Sequence, residues 1–383
     1  MRIGILAGEP SGDRLAAGLI EAIRRRVPQA QFYGMAGPRM VAAGCTQRFS
    51  IEQLSVVGFV EVLRQYPRLR RLRADVVQSF LDDPPDVFVG VDVPDFVLEV
   101  ETRLRAAGIR TAHLVSPTVW AWRPGRVTTV ARAVDLLLCI FPFEPAYYAG
   151  LDLRCAFVGH PLADEFPLEP DRAAQRSALG IADDARVLAL LPGSRMQELR
   201  LCTRSFLETA QRVQAQDPSL RVLCAPLDAR AEAFIEAERA RWTPQLALEL
   251  HTGASRELLC AADAALITSG TTTVEALLAK CPSVVAYRMS WASYLIARLL
   301  VRTPFIAMAN IIAGRELFPE FVQGAMRPEA MAQALQAWLG NAARGDALRA
   351  TCGALHAEMR CGAADRAAEA LLELAAAPAA AGN

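Results

Sequence analysis

The sequence predicts an α/β protein of two doubly wound, Rossmann-like domains facing each other across a cleft. Three observations carry this. Short β-rich runs alternate with helical patterns in the first part of the chain, the mark of βαβ units on a parallel sheet. A proline-spaced stretch, His160 to Asp171 with Pro161, Pro167 and Pro170, then breaks the rhythm as a linker would, and the alternation restarts beyond it. The 383 residues suit two or three domains of roughly 150 residues each.

In the first part the strand-like runs are Ile3 to Leu6, Phe32 to Met35, Val87 to Val91, Thr111 to Val115 and Leu136 to Ile140, and Leu15 to Val27 reads as a helix. In the second they are Val187 to Leu191, Arg221 to Ala225, Leu246 to Leu250, Ala264 to Thr268 and Ser283 to Ala286. The expected division is a first domain over 1–165, a second over 172–345, and C-terminal helices over 346–383 that pack back on the first domain or on a partner subunit. The alanine-rich end is expected to remain helical up to Ala377-Pro378 and to fray beyond it.

Composition excludes several classes. Forty-one basic and 41 acidic groups give zero net charge, so nothing draws the whole chain to nucleic acid, and no nucleic-acid partner is expected. Lys280 is the only lysine and no GxxxxGK can be written around it, which excludes a P-loop NTPase. Nine cysteines form no C-x-x-C and do not cluster with the four histidines, so neither a metal site nor a disulfide framework is expected. Met1 leads almost directly into Ile3 to Leu6, leaving no room for a signal peptide, and a cytoplasmic location is expected. No apolar run reaches the roughly 18 residues of a membrane span, so any membrane is met from its surface.

In doubly wound sheets the loops that follow strands bind ligands. The first, Ala7-Gly8-Glu9-Pro10-Ser11-Gly12-Asp13, lacks the G-x-G-x-x-G spacing of a dinucleotide fold; its alternative is a tight turn with Ser11 or Asp13 as helix cap. After Val87 to Val91 come Asp92 and Asp95. Asp95 reads as a cap, while Asp92 reads equally as a cap or as a base facing the cleft. The segment Ser116 to Arg123 holds Trp120 and Trp122, which either line a pocket or pack between sheet and helix. His113 and His160 read as structural.

In the second half, Pro192-Gly193-Ser194-Arg195 offers a glycine, a hydroxyl and a guanidinium at a helix N-terminus, which suits a phosphate or diphosphate. Ser194 and Gln197 also stand at capping-box spacing. Thr268 to Thr273 opens the helix carrying Glu275. There Ser269, Gly270 and Thr271 could hold phosphate and Glu275 ribose hydroxyls, although Thr272 and Glu275 match a capping box as well. Tyr287 and Arg288 end the next strand. No D-x-D triplet exists, so a leaving diphosphate would be neutralised by arginines and helix termini, with no cofactor. Finally, Val56 to Arg73 places Val60, Val62, Leu63, Leu69 and Leu72 beside Arg64, Arg68, Arg70, Arg71 and Arg73. Such a segment is either a core-facing helix or an interfacial one on anionic lipid.

These motifs closely resemble the lipid-A-disaccharide synthase family of GT-B-type glycosyltransferases. The residues that carry the resemblance are Ala7-Gly8-Glu9 with Ser11-Gly12-Asp13, Ala36 to Met40, Asp86 to Phe96, Val115 to Arg123, Leu190 to Arg195, Ser269-Gly270-Thr271, Tyr287-Arg288-Met289 and Ala313 to Leu317. One departure is visible: Ala309 stands before Asn310, where family members often have proline.

The resemblance implies an enzyme that transfers 2,3-diacylglucosamine from UDP-2,3-diacylglucosamine to 2,3-diacylglucosamine 1-phosphate (lipid X), with inversion, at the inner surface of the cytoplasmic membrane. It implies a homodimer in which C-terminal helices cross to the partner. Asp92 occupies the position of the family's essential aspartate, with Glu9 as second candidate base, and Arg195 with the amides of Gly193 and Ser194 would stabilise the leaving UDP. Ser11, Trp120, Arg123 and Arg126 are acceptor or loop candidates, and membrane contact falls to Val60, Val62, Leu63, Leu69 and Leu72. Another GT-B UDP-sugar enzyme, an N-acetylglucosaminyltransferase or an epimerase, would share the domains without needing an acyl-binding surface.

Overall fold

The computed structural model describes residues 1–54, 59–121, 125–301 and 303–377, and of residues 59–65, 292, 293 and 296 the backbone alone. Seven strands, β1 (Arg2–Ala7), β2 (Gln31–Ala36), β3 (Cys45–Ser50), β4 (Val87–Val91), β5 (Arg110–Leu114), β6 (Leu136–Cys139) and β7 (Arg154–Phe157), form one parallel sheet in the order β3-β2-β1-β4-β5-β6-β7. Six more, β8 (Val187–Leu191), β9 (Arg221–Cys224), β10 (Leu248–Leu250), β11 (Ala264–Ile267), β12 (Ser283–Tyr287) and β13 (Glu320–Val322), form a second parallel sheet in the order β10-β9-β8-β11-β12-β13. In each sheet the order reverses beside the first strand of that sheet, between β1 and β4 and between β8 and β11. Those reversals open the crevices in which such sheets bind ligands.

The central strands form because their side chains are apolar on both faces: β4 (VFVGV) and β8 (VLALL) are buried at every position. Phe80 and Phe88 meet edge-on with centroids 5.0 Å apart inside the first sheet's core. Three strands were not expected from sequence: β3, β7 and β13. Each lies at a sheet edge, where half-solvated sequences such as CTQRFS leave no continuous apolar run.

The chain divides into two compact units, Met1–Asp164 rejoined by the chain from Met359 onward, and Glu165–Glu358. The first division falls at the short helix Pro161–Glu165, inside the proline-spaced stretch. The C-terminal helices, expected as one group, are split. Ala342–Met359 belongs almost wholly to the second unit, while Ala363–Ala376 packs on the helix Pro10–Arg26 of the first. There Asp365 pairs with Arg25 at 2.9 Å and Arg26 at 2.5 Å, and Asp164 accepts the amides of Gly362 and Ala363 at 2.8 and 2.6 Å.

In the helix Phe59–Asp82 the structure corrects one membrane-contact candidate. Leu72 is buried against its own unit, and Leu69 is half-buried, while Tyr66, Arg68, Arg70 and Arg71 are exposed. The side chains of Val60, Val62 and Leu63 lie outside the described residues.

Candidate active site

In the first unit the loops after β1 and β4 meet at the reversal of strand order. A Cβ on Gly8 would lie 2.7 Å from the side chain of Val93, so glycine is required there for the two loops to touch. Glu9 and Asp92 flank that contact in sequence. Glu9 is the exposed N-cap residue of the helix Pro10–Arg26, without a side-chain capping bond, and Ser11 is exposed in its first turn. The Asp92 amide extends the ladder to Leu114 O at 3.1 Å, after which the chain turns left-handed at Asp92 (φ 56°) and Val93 (φ 45°). Five non-glycine residues among those described adopt such backbone, and three of them, Asp92, Val93 and Val115, stand at the carboxyl ends of the neighbouring strands β4 and β5. Left-handed backbone at a β-branched residue is strained, and strain of this kind concentrates at functional sites.

Several capping expectations are corrected here. Asp13 caps a different helix: its buried carboxylate accepts the amides of Gly37, Arg39 and Met40 at 3.0–3.1 Å, at the start of Pro38–Ala42. Asp95 is not the cap of Pro94–Ala106, because Val93 holds that position. Asp95 instead forms an ion pair with the largely buried Arg126. Arg126 is therefore already engaged, which weakens it as an acceptor-phosphate ligand. Trp120 is buried and meets Phe143 edge-on at 5.5 Å, the packed alternative for that loop. Arg123 lies outside the described residues.

The floor beneath the loop that begins at Ser116 is a buried polar cluster. Ser116 Oγ and Tyr148 OH lie 2.9 Å apart. Glu144 accepts the amides of Ile140 and Phe141 at 3.1 and 3.0 Å, and burial pushes its carboxyl up to about 7. His160 is buried and pulled down to about 4 by desolvation, and His113 bonds the fully buried Glu101 at 2.8 Å. Both histidines sit in structural positions.

In the second unit a cavity of about 220 Å³ opens where β8 and β11 diverge, lined by Gly193, Ser194, Leu227, Thr271, Thr272 and Glu275 among others. A second hollow, of about 230 Å³, is lined by Arg195, Glu198, Leu201, Tyr287 and Arg288 among others. The loop Gly193 to Arg195 contributes to both. Candidates separated by about a hundred residues in sequence are thus brought together.

Here too the caps differ from expectation. The N-cap of Met196–Gln216 is Arg195, not Ser194, and the partner at the third helical position is Glu198, not Gln197. Glu198 Oε2 accepts the amides of Ser194 at 3.3 Å and Arg195 at 3.4 Å, while Oε1 faces Arg195 Nη1 at 3.4 Å. Gly193, at φ 122°, leaves the room: a Cβ there would lie 2.8 Å from Oε2. Glu198 was missed from sequence, although a glutamate three residues after Arg195 was a visible signal.

The N-cap of Thr271–Leu278 is Gly270, so Thr272 forms no capping box with Glu275, and both line the cavity. Ser269 donates its hydroxyl proton to Ile306 O at 2.9 Å and so shapes the loop. Two bonds from Arg288 Nη2 hold the carbonyls of Gln323 and Met326 at 3.4 and 3.2 Å. Burial chiefly, assisted by Glu198, raises the Tyr287 hydroxyl above its ordinary range. Asn310, after the departure at Ala309, satisfies both ends of its amide on Leu317, Phe318 and Glu320, which holds the following Ala313 to Leu317 turn.

A family model described as lipid-A-disaccharide synthetase matches residues 3–373. A lipid-A-disaccharide synthase of Serratia proteamaculans is 46% identical over 375 residues, covering 98% of each chain. Among solved structures, the calicheamicin glycosyltransferase CalG4 is similar with a TM-score of 0.62 at 18% identity, over 98% of this chain and 99% of that one. The UDP-GlcNAc 2-epimerase from Neisseria meningitidis, bound to UDP-GlcNAc, is similar with a TM-score of 0.63 at 9% identity, over 97% and 100%. At such identities these structures share the fold alone.

Proposed function

Because the chain belongs to the lipid-A-disaccharide synthase family, we propose that Asp92 is the base and Arg195 the leaving-group stabiliser of its glycosyl transfer. The reaction joins 2,3-diacylglucosamine from its UDP-linked form to lipid X, giving the β-1,6 disaccharide 1-phosphate and UDP. Inversion requires a base that takes the proton from the acceptor's 6-hydroxyl as its oxygen attacks the anomeric carbon. A strand-end carboxylate fits that task. The observation that carries the assignment is the left-handed backbone at Asp92 and Val93, which ends the strand at a half-buried carboxylate beside the reversal of strand order. Glu9, across Gly8 from Val93, is the alternative base.

As the bond to UDP breaks, the sugar becomes oxocarbenium-like and charge grows on the diphosphate. Arg195 and the amides of Gly193 and Ser194 meet that charge, and Thr271, Glu275 and Tyr287 hold the nucleotide. The amide-lined helix start supports this reading, in which no metal takes part. We further propose that the enzyme is a homodimer that rests on the inner face of the cytoplasmic membrane. Among the described residues no helix is long and apolar enough to cross a membrane, and exposed Arg70 and Arg71 on the helix Phe59–Asp82 suit anionic lipid.

UDP release from UDP-2,3-diacylglucosamine and lipid X in mixed micelles containing EDTA tests the roles. Turnover is expected in EDTA, with Asp92→Ala and Arg195→Ala each at least about a hundredfold slower. Full dependence on added metal removes the metal-free reading, and a variant within tenfold of wild type removes that residue's role. For the membrane, replacement of Val60, Val62 and Leu63 by serine is expected to release the folded protein from vesicles.

A further inference from the structure

The densest group of exposed apolar side chains among the described residues lies in the second unit, on no loop that handles the nucleotide. Trp291 is 69% exposed, Leu295 56% and Leu299 86%, with Leu300 and Val301 exposed beside them, all in or at the end of the helix Trp291–Leu300. Spacing by four puts Trp291, Leu295 and Leu299 on one face. The other exposed large hydrophobics, such as Val41, Leu81 and Leu168, stand apart in sequence, as is ordinary for a surface. A contiguous exposed stripe is not ordinary and marks a contact surface.

Charge identifies what it contacts. Between Glu275 and Glu316 the sequence has no acidic residue, while Lys280, Arg288, Arg298, Arg302 and Arg315 are basic, in a chain whose 41 positive and 41 negative groups balance only when taken as a whole. Arg298 is exposed within the helix itself. An apolar stripe in a purely cationic stretch complements an anionic lipid surface, where leucines enter the acyl region, tryptophan sits at the boundary and arginine reaches the phosphates. The helix also begins three residues after Arg288, which lines the hollow containing Arg195. That places it next in sequence to the site at which an acylated UDP-sugar would bind.

We propose that the helix Trp291–Leu300 lies in the interface of an anionic bilayer, with Trp291, Leu295 and Leu299 toward the acyl chains and Arg298 at the phosphates. This second contact rests on the reading that the enzyme works at a membrane, and it is separate from the segment Val56 to Arg73.

The test uses the full chain with vesicles of phosphatidylglycerol or of phosphatidylcholine. Leu295→Ser/Leu299→Ser is expected to lower the partition coefficient on phosphatidylglycerol by about tenfold or more, with UDP affinity unchanged. Brominated lipids are expected to quench a component of the fluorescence that Trp291→Phe removes. Wild-type protein that ignores both vesicles overturns the membrane reading as a whole. Wild type that binds while the double variant binds equally overturns the role of this helix alone. If the double variant fails to fold, the quenching decides: no Trp291 component overturns the proposal. A double variant that converts a dimer to a monomer without altering vesicle binding also overturns it, since a second copy then covers the stripe.

Discussion

Glu198 holds the position proposed for the leaving diphosphate. Its carboxylate faces the amides of Ser194 and Arg195 and the Arg195 guanidinium at 3.3–3.4 Å, long for N–H···O bonds and so readily displaced. An internal anion competes with UDP, and the apparent affinity falls by the fraction of molecules in which the seat is taken. Glu198→Gln is therefore expected to bind UDP tighter, by up to about tenfold. Without UDP it is expected to melt below wild type, because the helix start loses its anion, and this gap should close at saturating UDP. Calorimetric titration and melting curves measure both, and weaker UDP binding would reduce Glu198 to a structural brace. Sequence placed the loop correctly but the cap one residue early, because Ser194-x-x-Gln197 and Arg195-x-x-Glu198 overlap and only the fold selects between them. Asp92 was equally visible as a strand-end carboxylate, whereas its left-handed backbone depends on Val93 packing against Gly8, a contact between loops some 85 residues apart.

At the scale of elements, central strands were legible because burial on both faces writes an unbroken apolar run, whereas of the four edge strands only β10, expected as Leu246 to Leu250, was legible, since β3, β7 and β13 are short or half-solvated. The Ile140-to-Tyr148 connection after β6 was also opaque. Its organising group, Glu144, is a carboxylate in a stretch of aromatic residues, and only the structure turns it inward onto the amides of Ile140 and Phe141. Burial raises its pKa from an ordinary 4.5 to about 7, so the folded state binds a proton that the unfolded state releases. A raised pKa contributes stability that is complete below about 4.5 and is lost as pH rises through about 7. Glu144→Gln stays neutral at every pH. Melting curves from pH 4.5 to 8 should therefore show wild type losing ground to the variant across that window and holding a constant deficit above it. His160, pulled down to about 4, acts oppositely: its contribution is present above about 6.5 and lost toward pH 4. The Glu144 effect is accordingly read as the difference between wild type and variant, from which His160 cancels. A difference that does not change with pH would mean that Glu144 stays ionised in the folded protein.

For the whole molecule, the decisive feature is that the first unit is completed by the end of the chain. Met1–Asp164 is joined by residues from Met359 onward only after the second unit has been made. Ala363–Ala376 brings Ala367, Ala368 and Leu371, each at most 1% exposed, onto the helix Pro10–Arg26, and fixes them with Asp365, Asp164 and the ion pair between Arg154 and Glu373. Ending the chain at Glu358 strips that apolar seat and leaves Asp164 without the amides it accepts. The second unit keeps its sheet and the cavity proposed for the nucleotide. Calorimetry of the truncated chain is thus expected to show two separated transitions: one for the first unit, shifted well down in temperature, and one for the second unit, still raised by UDP. Both chains should also be weighed by light scattering in detergent. In a swapped dimer the same helix fills the same seat on its partner, so truncation should reduce the mass to that of a monomer as well as lower the first transition. A first transition that truncation leaves in place would mean that the helix adds nothing the unit needs, and that its burial is a consequence of folding.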